Sequence, residues 1–281
     1  MEAQLEQIRE QQKDTWNRFS GGWRKWDDFT MTWLRPMGEE IIRALDLQDG
    51  DMVLDVAAGT GEPGLTMAGL VGSGKVVITD LAEGMLDVAR DKAEARGIRN
   101  YETVVCDVCA LPFEDATFDA VSCRFGFMFF PDMLLAVQEM ARVLKPGGKV
   151  AAAVWSTPDK NPWITTIMST ISQHLQLPAP PPGAPGMFRC GDPGFLAELF
   201  QKAGLRNVAE KELTGTLNCG STDTYWRFMN DVAAPVVFAL SKADDTMKET
   251  IRRQVYEKLD QQYPDKNVAL NYGTVIVSGE K

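Results

Sequence analysis

The sequence predicts a doubly wound α/β fold, in which a mainly parallel sheet carries helices on both faces. From Gly38 to Trp155, short apolar runs that suit buried strands alternate with helical patterns. The glycine-rich stretch AGTGEPG follows the first of these runs and opens a helix. Strands that alternate with helices in this way are typical of βαβ units, so we expect neighbouring strands to run parallel.

The elements of this predicted core follow in a regular order. Five strands are expected, at 52–57, 75–79, 101–106, 118–123 and 149–155. One helix is expected before the first strand, at 38–45. The helices between strands are expected from the glycine loop to 68, at 84–96 and at 133–144. After a break, the same domain is completed by helices at 193–203 and 235–259 and by strands at 205–213 and 268–279.

Two segments depart from the alternation. Residues 1–37 carry aromatic side chains spaced by three and four, which predicts helical structure with most of these rings on one face. Such a helix could pack on the core or lie on a membrane surface, and a third interpretation follows below from a resemblance. Residues 156–191 contain a helical piece followed by PAPPPGAPG, whose proline density favours extended chain. We expect this insertion to form a lid, or else a passive surface excursion. The core at 38–155 and the closing segment 192–281 then belong to one domain.

Composition narrows the possible functions. The chain of 281 residues has 29 Lys and Arg against 39 Asp and Glu, a formal net charge of −10. This balance argues against nucleic-acid binding, which depends on neutralising phosphates. We expect no membrane span, since the sequence lacks a run of roughly 18 apolar residues. The charged N-terminus does not resemble a signal peptide, which favours a cytoplasmic protein.

The cysteines predict neither a disulfide framework nor a metal site. There are five, an odd number, and only Cys106 and Cys109 form a CxxC pair. His174 is the single histidine, which leaves a zinc site short of ligands. We therefore expect buried thiols and no bound metal.

The glycine loop contains Gly59, Gly61 and Gly64 in the spacing GxGxxG, which by itself indicates a dinucleotide site. Asp80, at the end of the next strand, could hold a ribose hydroxyl. Asp55 and Glu62, however, would repel the pyrophosphate of NAD. For a ligand that joins an ammonium group to a ribose, Asp55 would be attractive.

Four stretches together resemble class I S-adenosylmethionine-dependent methyltransferases, and within these the ubiquinone/menaquinone-biosynthesis C-methyltransferase group. They are LDVAAGTGEPG, TDLAEGML, CDVCALPFEDATFDAV and RVLKPGGKV, and they span residues 50–155 in the expected order. The resemblance implies a Rossmann-like sheet of seven strands with an antiparallel last strand. It also implies S-adenosylmethionine as the cofactor, with an NAD(P)-dependent oxidoreductase or a non-catalytic S-adenosylmethionine-binding subunit as the alternatives.

The resemblance assigns the methionyl and ribose parts of the cofactor to five residues. Asp55 would anchor the ammonium group, directly or through water. Ala57, Gly59 and Gly61 would let the chain pass close to the methionyl part, and Asp80 would accept both ribose hydroxyls. A helix N-cap or turn is the alternative role for Asp80.

Four further positions are implied for the adenine, and a fifth, Arg124, for the methionyl part. Leu81 and Met85 would flank the adenine, unless they serve only the core. Asp107 would accept from its exocyclic amine, or else cap a turn, and the Val108 N–H would donate to its ring. Arg124 would approach the methionyl part; an anionic substrate group or a salt bridge is its alternative partner.

The methyl acceptor is expected to be a small, partly hydrophobic molecule bound among aromatic side chains. The Tyr-Asp pair that the group carries near its N-terminus, in a segment that closes over the cofactor, is matched by Trp26 and Asp27, so the resemblance implies that residues 1–37 form a helical cap over the site. His174 is the candidate general base, because histidine exchanges protons near neutral pH, although a solvent-facing position is the alternative. A monomer or a homodimer is expected. The candidate pocket residues are Trp26, Phe127, Trp155, Trp163, Phe188 and Trp226.

Overall fold

A seven-stranded sheet forms the centre of the protein in a computed structural model that describes residues 2–177, 181 and 183–281. The strand order is β3-β2-β1-β4-β5-β7-β6, and β7 runs antiparallel to both of its neighbours. This confirms the predicted doubly wound fold with its antiparallel last strand. The strands are β1 (Met52–Asp55), β2 (Lys75–Asp80), β3 (Tyr101–Val105), β4 (Phe118–Arg124), β5 (Leu144–Trp155), β6 (Arg206–Gly220) and β7 (Val268–Glu280).

Helices lie between the strands and around the carboxyl edge of the sheet. They are α1 (Glu2–Lys25), α2 (Asp27–Leu45), α3 (Gly64–Ala68), α4 (Glu83–Ala95), α5 (Met133–Val143), α6 (Pro162–His174), α7 (Phe195–Lys202), α8 (Thr222–Val232), α9 (Ala234–Leu240) and α10 (Asp245–Gln262). Within the described residues, none of these helices combines the length and the apolar character that a membrane crossing requires.

Three predicted boundaries are wrong. The helix expected at 38–45 is the second half of α2, which begins at Asp27 and buries apolar residues spaced by three and four along one face. The helix expected at 235–259 is divided into α9 and α10, because Asp244 accepts the N–H of Met247 and starts a new helix. The strand expected at 205–213 continues to Gly220, since it remains paired with β7 over that length.

The order of the strands creates a crevice between β1 and β4. The chain proceeds from β1 to β2 and β3 on one side, then crosses back to β4 and β5 on the other. Ligands of open α/β sheets bind at the carboxyl ends of the strands where the order reverses in this way. Asp55 and Ser122 are register partners across that point.

The insertion after β5 is fixed at both ends of its described part. The buried Asn161 side chain donates to the backbone oxygens of Ser156 and Gly273, at 3.1 and 3.0 Å, and so ties the start of α6 to β5 and β7. Further along, the Arg189 guanidinium donates to the Phe130 carbonyl at 2.6 Å. Residues 178–180 and 182 of the predicted lid lie outside the described residues. The described end of the insertion thus packs against the segment that follows β4.

Candidate active site

A cavity of about 190 Å³ opens at the carboxyl edge of the sheet. The segments that follow β1, β2, β3 and β4 form its floor, together with Trp155 at the end of β5. Its roof comes from α1, α2 and the α8–α9 junction. The parallel strands bring their carboxyl ends to one edge, so residues far apart in sequence meet in this cavity.

The glycine loop reaches the cavity at Gly59. Its backbone has φ +55°, and a Cβ built there meets no atom of the described protein within 4 Å. Gly61 (φ +92°) has a different role, since a Cβ there would lie 2.8 Å from the Cβ of Ala89 on α4. Gly61 is absent from the cavity lining, so the structure shows it as a packing position between the loop and α4.

Asp55 is fully buried behind the loop and does not line the cavity. Its carboxylate accepts the Gly64 N–H at 2.7 Å and the Ser122 hydroxyl at 2.6 Å. Burial raises the pKa of Asp55 to about 7, against the lowering effect of these two hydrogen bonds. The geometry therefore supports a structural role that joins β1, α3 and β4 and gives Asp55 no direct contact with the cavity, so only the expected anchoring of the ammonium group through water stays a prediction.

Glu62 also points away from the cavity. It is 2% exposed and is bonded to Thr66 and Arg96. Burial opposes its ionisation, but these two partners outweigh that effect and lower the pKa of Glu62. Neither Asp55 nor Glu62 lines the cavity, so neither carboxylate would contact a pyrophosphate bound there.

Asp80 faces the cavity from the end of β2. One carboxylate oxygen accepts the Gly59 N–H and the other accepts the Ala82 N–H, each at 2.9 Å. Burial raises the pKa of Asp80, although these bonds counteract the shift. Each oxygen of a carboxylate has two lone pairs, so Asp80 retains capacity to accept the two hydroxyls of a ribose.

Asp107 and Arg9 meet at the cavity wall beyond Asp80. One oxygen of Asp107 accepts the Cys109 N–H at 2.9 Å, and the other lies 2.5 Å from Nε of Arg9 on α1. Asp107 is thus both a turn cap, as one alternative held, and a cavity residue. The cation of Arg9 was not among the predicted site residues.

Apolar side chains form the lining around Asp80 and Asp107. Leu81, Met85 and Val108 all line the cavity, as does Cys106. Burial raises the pKa of the Cys106 thiol to about 11, so this group is neutral near pH 7. The lining combines carboxylates with apolar walls, which suits a nucleoside.

The loops after β1 and β4 adopt left-handed backbone conformations at two residues other than glycine. Ala57 has φ +50° and Phe125 has φ +63°, and both line the cavity. A Cβ on the adjoining Gly126 would lie 2.8 Å from the Cβ of Ala57, so the two loops are in close contact. Conformations of this kind cost of the order of 1 to 3 kcal/mol and cluster at functional sites.

Arg124 lies between the main cavity and a second, more polar cavity of about 410 Å³. Its guanidinium donates to the Leu34 carbonyl at 3.3 Å. Burial lowers the pKa of Arg124, against the opposing effect of the nearby Glu62 and Asp55 carboxylates. A guanidinium has five N–H donors, so Arg124 has capacity to bind an anionic group in the main cavity.

Aromatic rings form the wall beside Arg124. Trp155 stacks on Phe125, with ring centroids 4.2 Å apart, and lies nearly parallel to Trp33 at 5.7 Å. Trp163 packs against both tryptophans, at 4.9 and 5.0 Å. All four residues line the cavity, so its second half is apolar and aromatic.

The remaining predicted pocket residues lie outside the lining. Trp26 bonds to Asp231 at the α1–α2 junction, and Phe127 is completely buried against Phe130 and Phe200. Phe188 is partly buried beside Met187, which does line the cavity. Trp226 packs edge-on against Tyr256.

His174 lies at the last residue of α6 and is likewise outside the lining. Its Nε2 is 2.6 Å from Oε1 of Gln254 on α10. This geometry gives His174 no contact with a molecule in the cavity. A catalytic role for this histidine is therefore not retained.

Several lining residues could not be singled out from the sequence. A cap formed by residues 1–37 was expected over the site, but the aromatic spacing did not single out Trp16, Trp23 and Trp33 as the side chains that line the cavity. Arg9 lies in a run of alternating charges with no distinguishing signal. Phe228 and Pro235 enter through the α8–α9 junction, which was not predicted.

The residues present fit S-adenosylmethionine. Open space at Gly59 gives the backbone loop room for a close ligand, and the Asp80 carboxylate has lone pairs left for ribose hydroxyls. Apolar Leu81, Met85 and Val108 adjoin Asp107, as an adenine requires. Eight of the ten predicted cofactor positions line the cavity, the exceptions being Asp55 and Gly61.

Solved structures of other proteins share this fold. The YcgJ protein of Bacillus subtilis superposes with a TM-score of 0.58 at 19% identity, over 88% of this chain and 98% of that chain. The [4+2]-cyclase SpnF superposes with a TM-score of 0.54 at 20% identity, over 88% of this chain and 80% of that chain. A fold that is shared with a cyclase does not by itself fix the reaction.

Sequence comparison is more specific. A curated relative, the demethylmenaquinone methyltransferase of Bacillus cereus, is 34% identical over 192 residues, which are 63% of this chain and 78% of the relative. The profile of the ubiE/COQ5 methyltransferase family matches residues 23–173, more than half of the chain. The alternatives of an oxidoreductase and of a non-catalytic subunit thereby lose their support. The chain belongs to the ubiE/COQ5 methyltransferase family and is an S-adenosylmethionine-dependent methyltransferase that acts on a small molecule.

Proposed function

We propose that the methyl acceptor is a flat, oxygen-bearing aromatic molecule, and that a reduced naphthoquinone lacking one methyl group is its first candidate. The observation that carries this proposal is the aromatic wall of Phe125, Trp155, Trp33 and Trp163. Flat rings gain both apolar burial and favourable stacking against such a wall. The name of the Bacillus cereus relative supports a naphthoquinone in particular.

One half of the cavity binds the cofactor and the other half binds the methyl acceptor. Asp80 accepts the ribose hydroxyls, Asp107 the adenine amine, and Arg124 binds the carboxylate of the methionyl part. S-adenosylmethionine, when bound, supplies a methyl group on a positively charged sulfur, which makes the methyl carbon electrophilic. The aromatic half holds the acceptor beside it and excludes water, so that positioning supplies most of the rate increase.

The acceptor must also lose a proton if carbon or a hydroxyl oxygen is methylated. The carboxylates that line the cavity, Asp80 and Asp107, lie in the cofactor half. We propose that the acceptor binds as an already ionised species, such as the monoanion of a quinol. The pH dependence of kcat/KM should then follow the ionisation of the acceptor and shift when an acceptor of different acidity is used.

Transfer of a labelled methyl group tests this proposal. The purified chain is incubated with methyl-labelled S-adenosylmethionine and with matched sets of naphthalenediols, simple phenols, alkyl amines and alkyl thiols. We expect label in the naphthalenediols at a rate at least tenfold above the amines and thiols. Equal or faster labelling of an aliphatic amine or thiol would refute the aromatic acceptor while leaving the methyltransferase assignment intact.

We further propose that the protein works in the cytoplasm, as a monomer or homodimer, and does not bind nucleic acid. The net charge of −10 supports the last point, because it opposes association with phosphates. Fractionation of cells and sedimentation of the purified chain test the location and the oligomeric state. Retention on immobilised RNA or DNA at physiological salt would contradict the third point.

A further inference from the structure

Two tryptophan side chains in the cavity each carry a buried N–H group that has no hydrogen-bond partner among the described residues. They are Trp33 on α2 and Trp23 near the end of α1. Trp33 is only 4% exposed. Nearby indoles are satisfied within the protein, since Trp26 donates to Asp231 at 2.8 Å and Trp163 donates to Asn161 at 3.1 Å. The two unpaired donors thus stand out in their surroundings.

An unpaired donor in a buried place is unfavourable, so most such groups in native proteins find a partner, which can be a ligand. Both donors belong to side chains that line a cavity, and so a bound molecule is the natural partner. We propose that the indole N–H groups of Trp33 and Trp23 select the methyl acceptor by donating hydrogen bonds to oxygen atoms that it carries. This inference rests on the proposed function and extends it to specificity.

The position of Trp33 assigns its donor to the acceptor half of the cavity. Its ring contacts Trp155 and Trp163, which adjoin the carboxyl end of β5, whereas the ribose and adenine positions lie at β2 and β3. The same ring also packs against Tyr272 and Phe228, at 5.6 and 6.2 Å. A ring held on several sides has little rotational freedom, so its N–H keeps a fixed direction before the acceptor binds.

Trp23 belongs to the roof of the same half. It follows Gly22, where an added Cβ would lie 1.9 Å from the carbonyl oxygen of Asp231, so the end of α1 packs closely against the end of α8. Phe228 and Val232, both on that part of α8, line the cavity together with Trp23. Donors from α1 and α2 could therefore engage two oxygens of one flat molecule, such as those of a quinol.

Replacing tryptophan with phenylalanine removes the donor but keeps an aromatic ring. The probes are 1,4-naphthalenediol, which has two oxygens, and naphthalene, which has none. Their dissociation constants are measured by calorimetry on the full chain saturated with S-adenosylhomocysteine, and the ratio of the two constants reports oxygen selection. W33F and W23F are the test variants, and W226F, whose ring lies outside the cavity, is the matched control.

We expect W33F and W23F each to reduce the selection ratio by about 3- to 10-fold, the usual effect of one lost hydrogen bond. The affinity for S-adenosylhomocysteine should stay within error of the wild type, whereas W33F should lower the unfolding temperature because the smaller ring leaves space among the aromatic side chains that surround Trp33. W226F should leave the ratio unchanged. An unchanged ratio in both test variants would overturn the proposal.

One further result would also overturn it. Weaker binding of S-adenosylhomocysteine in parallel with the ratio would assign the donors to the cofactor. If neither probe binds the wild type, the aromatic acceptor of the proposed function is wrong. The donor proposal is then tested with cyclohexanone and methylenecyclohexane, in which a CH₂ group replaces the oxygen. The ratio of their dissociation constants should again fall in W33F and W23F, and an unchanged ratio would overturn the donor proposal.

Discussion

Arg9 in the first helix and Asp107 after the third strand form an ion pair, with 2.5 Å between Nε and Oδ2, at the wall of the cofactor half of the cavity. The pair fastens α1 over this half of the site. A second contact lies further along α1, where the Asn17 side chain accepts the Gly84 N–H of α4 at 2.9 Å. The N-terminal helix is thus held against the two elements that surround the predicted adenine position.

Arg9→Gln should accelerate release of the cofactor product. Without the cation, α1 is held less firmly over the adenine end, and we expect S-adenosylhomocysteine to dissociate about two- to fivefold faster, in line with about 1 kcal/mol for a partly exposed ion pair. Stopped-flow tryptophan fluorescence measures this rate. Arg24→Gln is the control, because Arg24 also lies on α1 but its ion pair with Asp91 of α4 is about half exposed and lies outside the cavity lining. Equal acceleration in both variants would refute a specific closing role of Arg9.

Asp80→Ala should weaken cofactor binding. The change removes the acceptor proposed for the ribose hydroxyls and also releases the N–H groups of Gly59 and Ala82. A lost charge-assisted hydrogen bond is worth about 1.5 to 3 kcal/mol, so the dissociation constant of S-adenosylhomocysteine should rise by about 10- to 100-fold. Calorimetry checks this value. Asp119→Ala, at the opposite edge of the sheet, should leave that affinity unchanged.

Gly59→Ala should mainly weaken cofactor binding, whereas Gly61→Ala should mainly lower stability. The Gly59→Ala side chain enters the cavity, so cofactor affinity should fall strongly, while the positive φ costs about 1 to 2 kcal/mol of stability. Gly61→Ala meets Ala89 at 2.8 Å and should cost about 2 to 4 kcal/mol of stability. Urea unfolding and calorimetry separate the two effects. Equal stability of both variants would contradict the packing role of Gly61.

Asp55→Asn should change how stability depends on pH. The pKa of Asp55 is raised from 3.8 to about 7 in the folded protein, chiefly by burial, so the folded state binds an extra proton between these values. Stability from this group is present below about pH 4 and is lost as the pH rises towards 7. Between pH 5 and pH 8, the wild type should lose about 2 to 3 kcal/mol relative to Asp55→Asn. Urea unfolding measures the stability of both proteins at the two pH values. If the wild type and Asp55→Asn change equally in stability between pH 5 and pH 8, the raised pKa of Asp55 is contradicted.

The core strands were predictable because each is a short apolar run bounded by turn residues. The resemblance implied the antiparallel last strand and the cofactor roles of Asp80 and Asp107, and both carboxylates line the cavity because strand ends converge at one edge of the sheet. His174 and Trp226 could not be judged in the same way. Their residue types suit a site, but α6 and α8 turn these side chains towards α10 and away from the cavity.

The hydrogen-bond partners of Asp55 could be predicted neither from the sequence nor from the resemblance. A carboxylate in an apolar strand needs a partner, and the sequence did not distinguish a bound ammonium from local hydrogen bonds. The register of β1 against β4 sets Ser122 beside Asp55, and the loop returns the Gly64 N–H to it. The partner was therefore decided by strand pairing, which local sequence does not encode.

By itself, the sequence determined the α/β architecture and the position of the glycine loop, because periodicity and turn residues are local properties of the chain, and the resemblance of its ordered motifs implied the class of cofactor. Only the tertiary structure decided that Arg9 of α1 pairs with Asp107 at the cavity wall and that the indole N–H groups of Trp33 and Trp23 have no partner among the described residues. These features depend on how helices far from the strands in sequence pack over their ends. Packing of that kind is set by contacts summed over the whole domain.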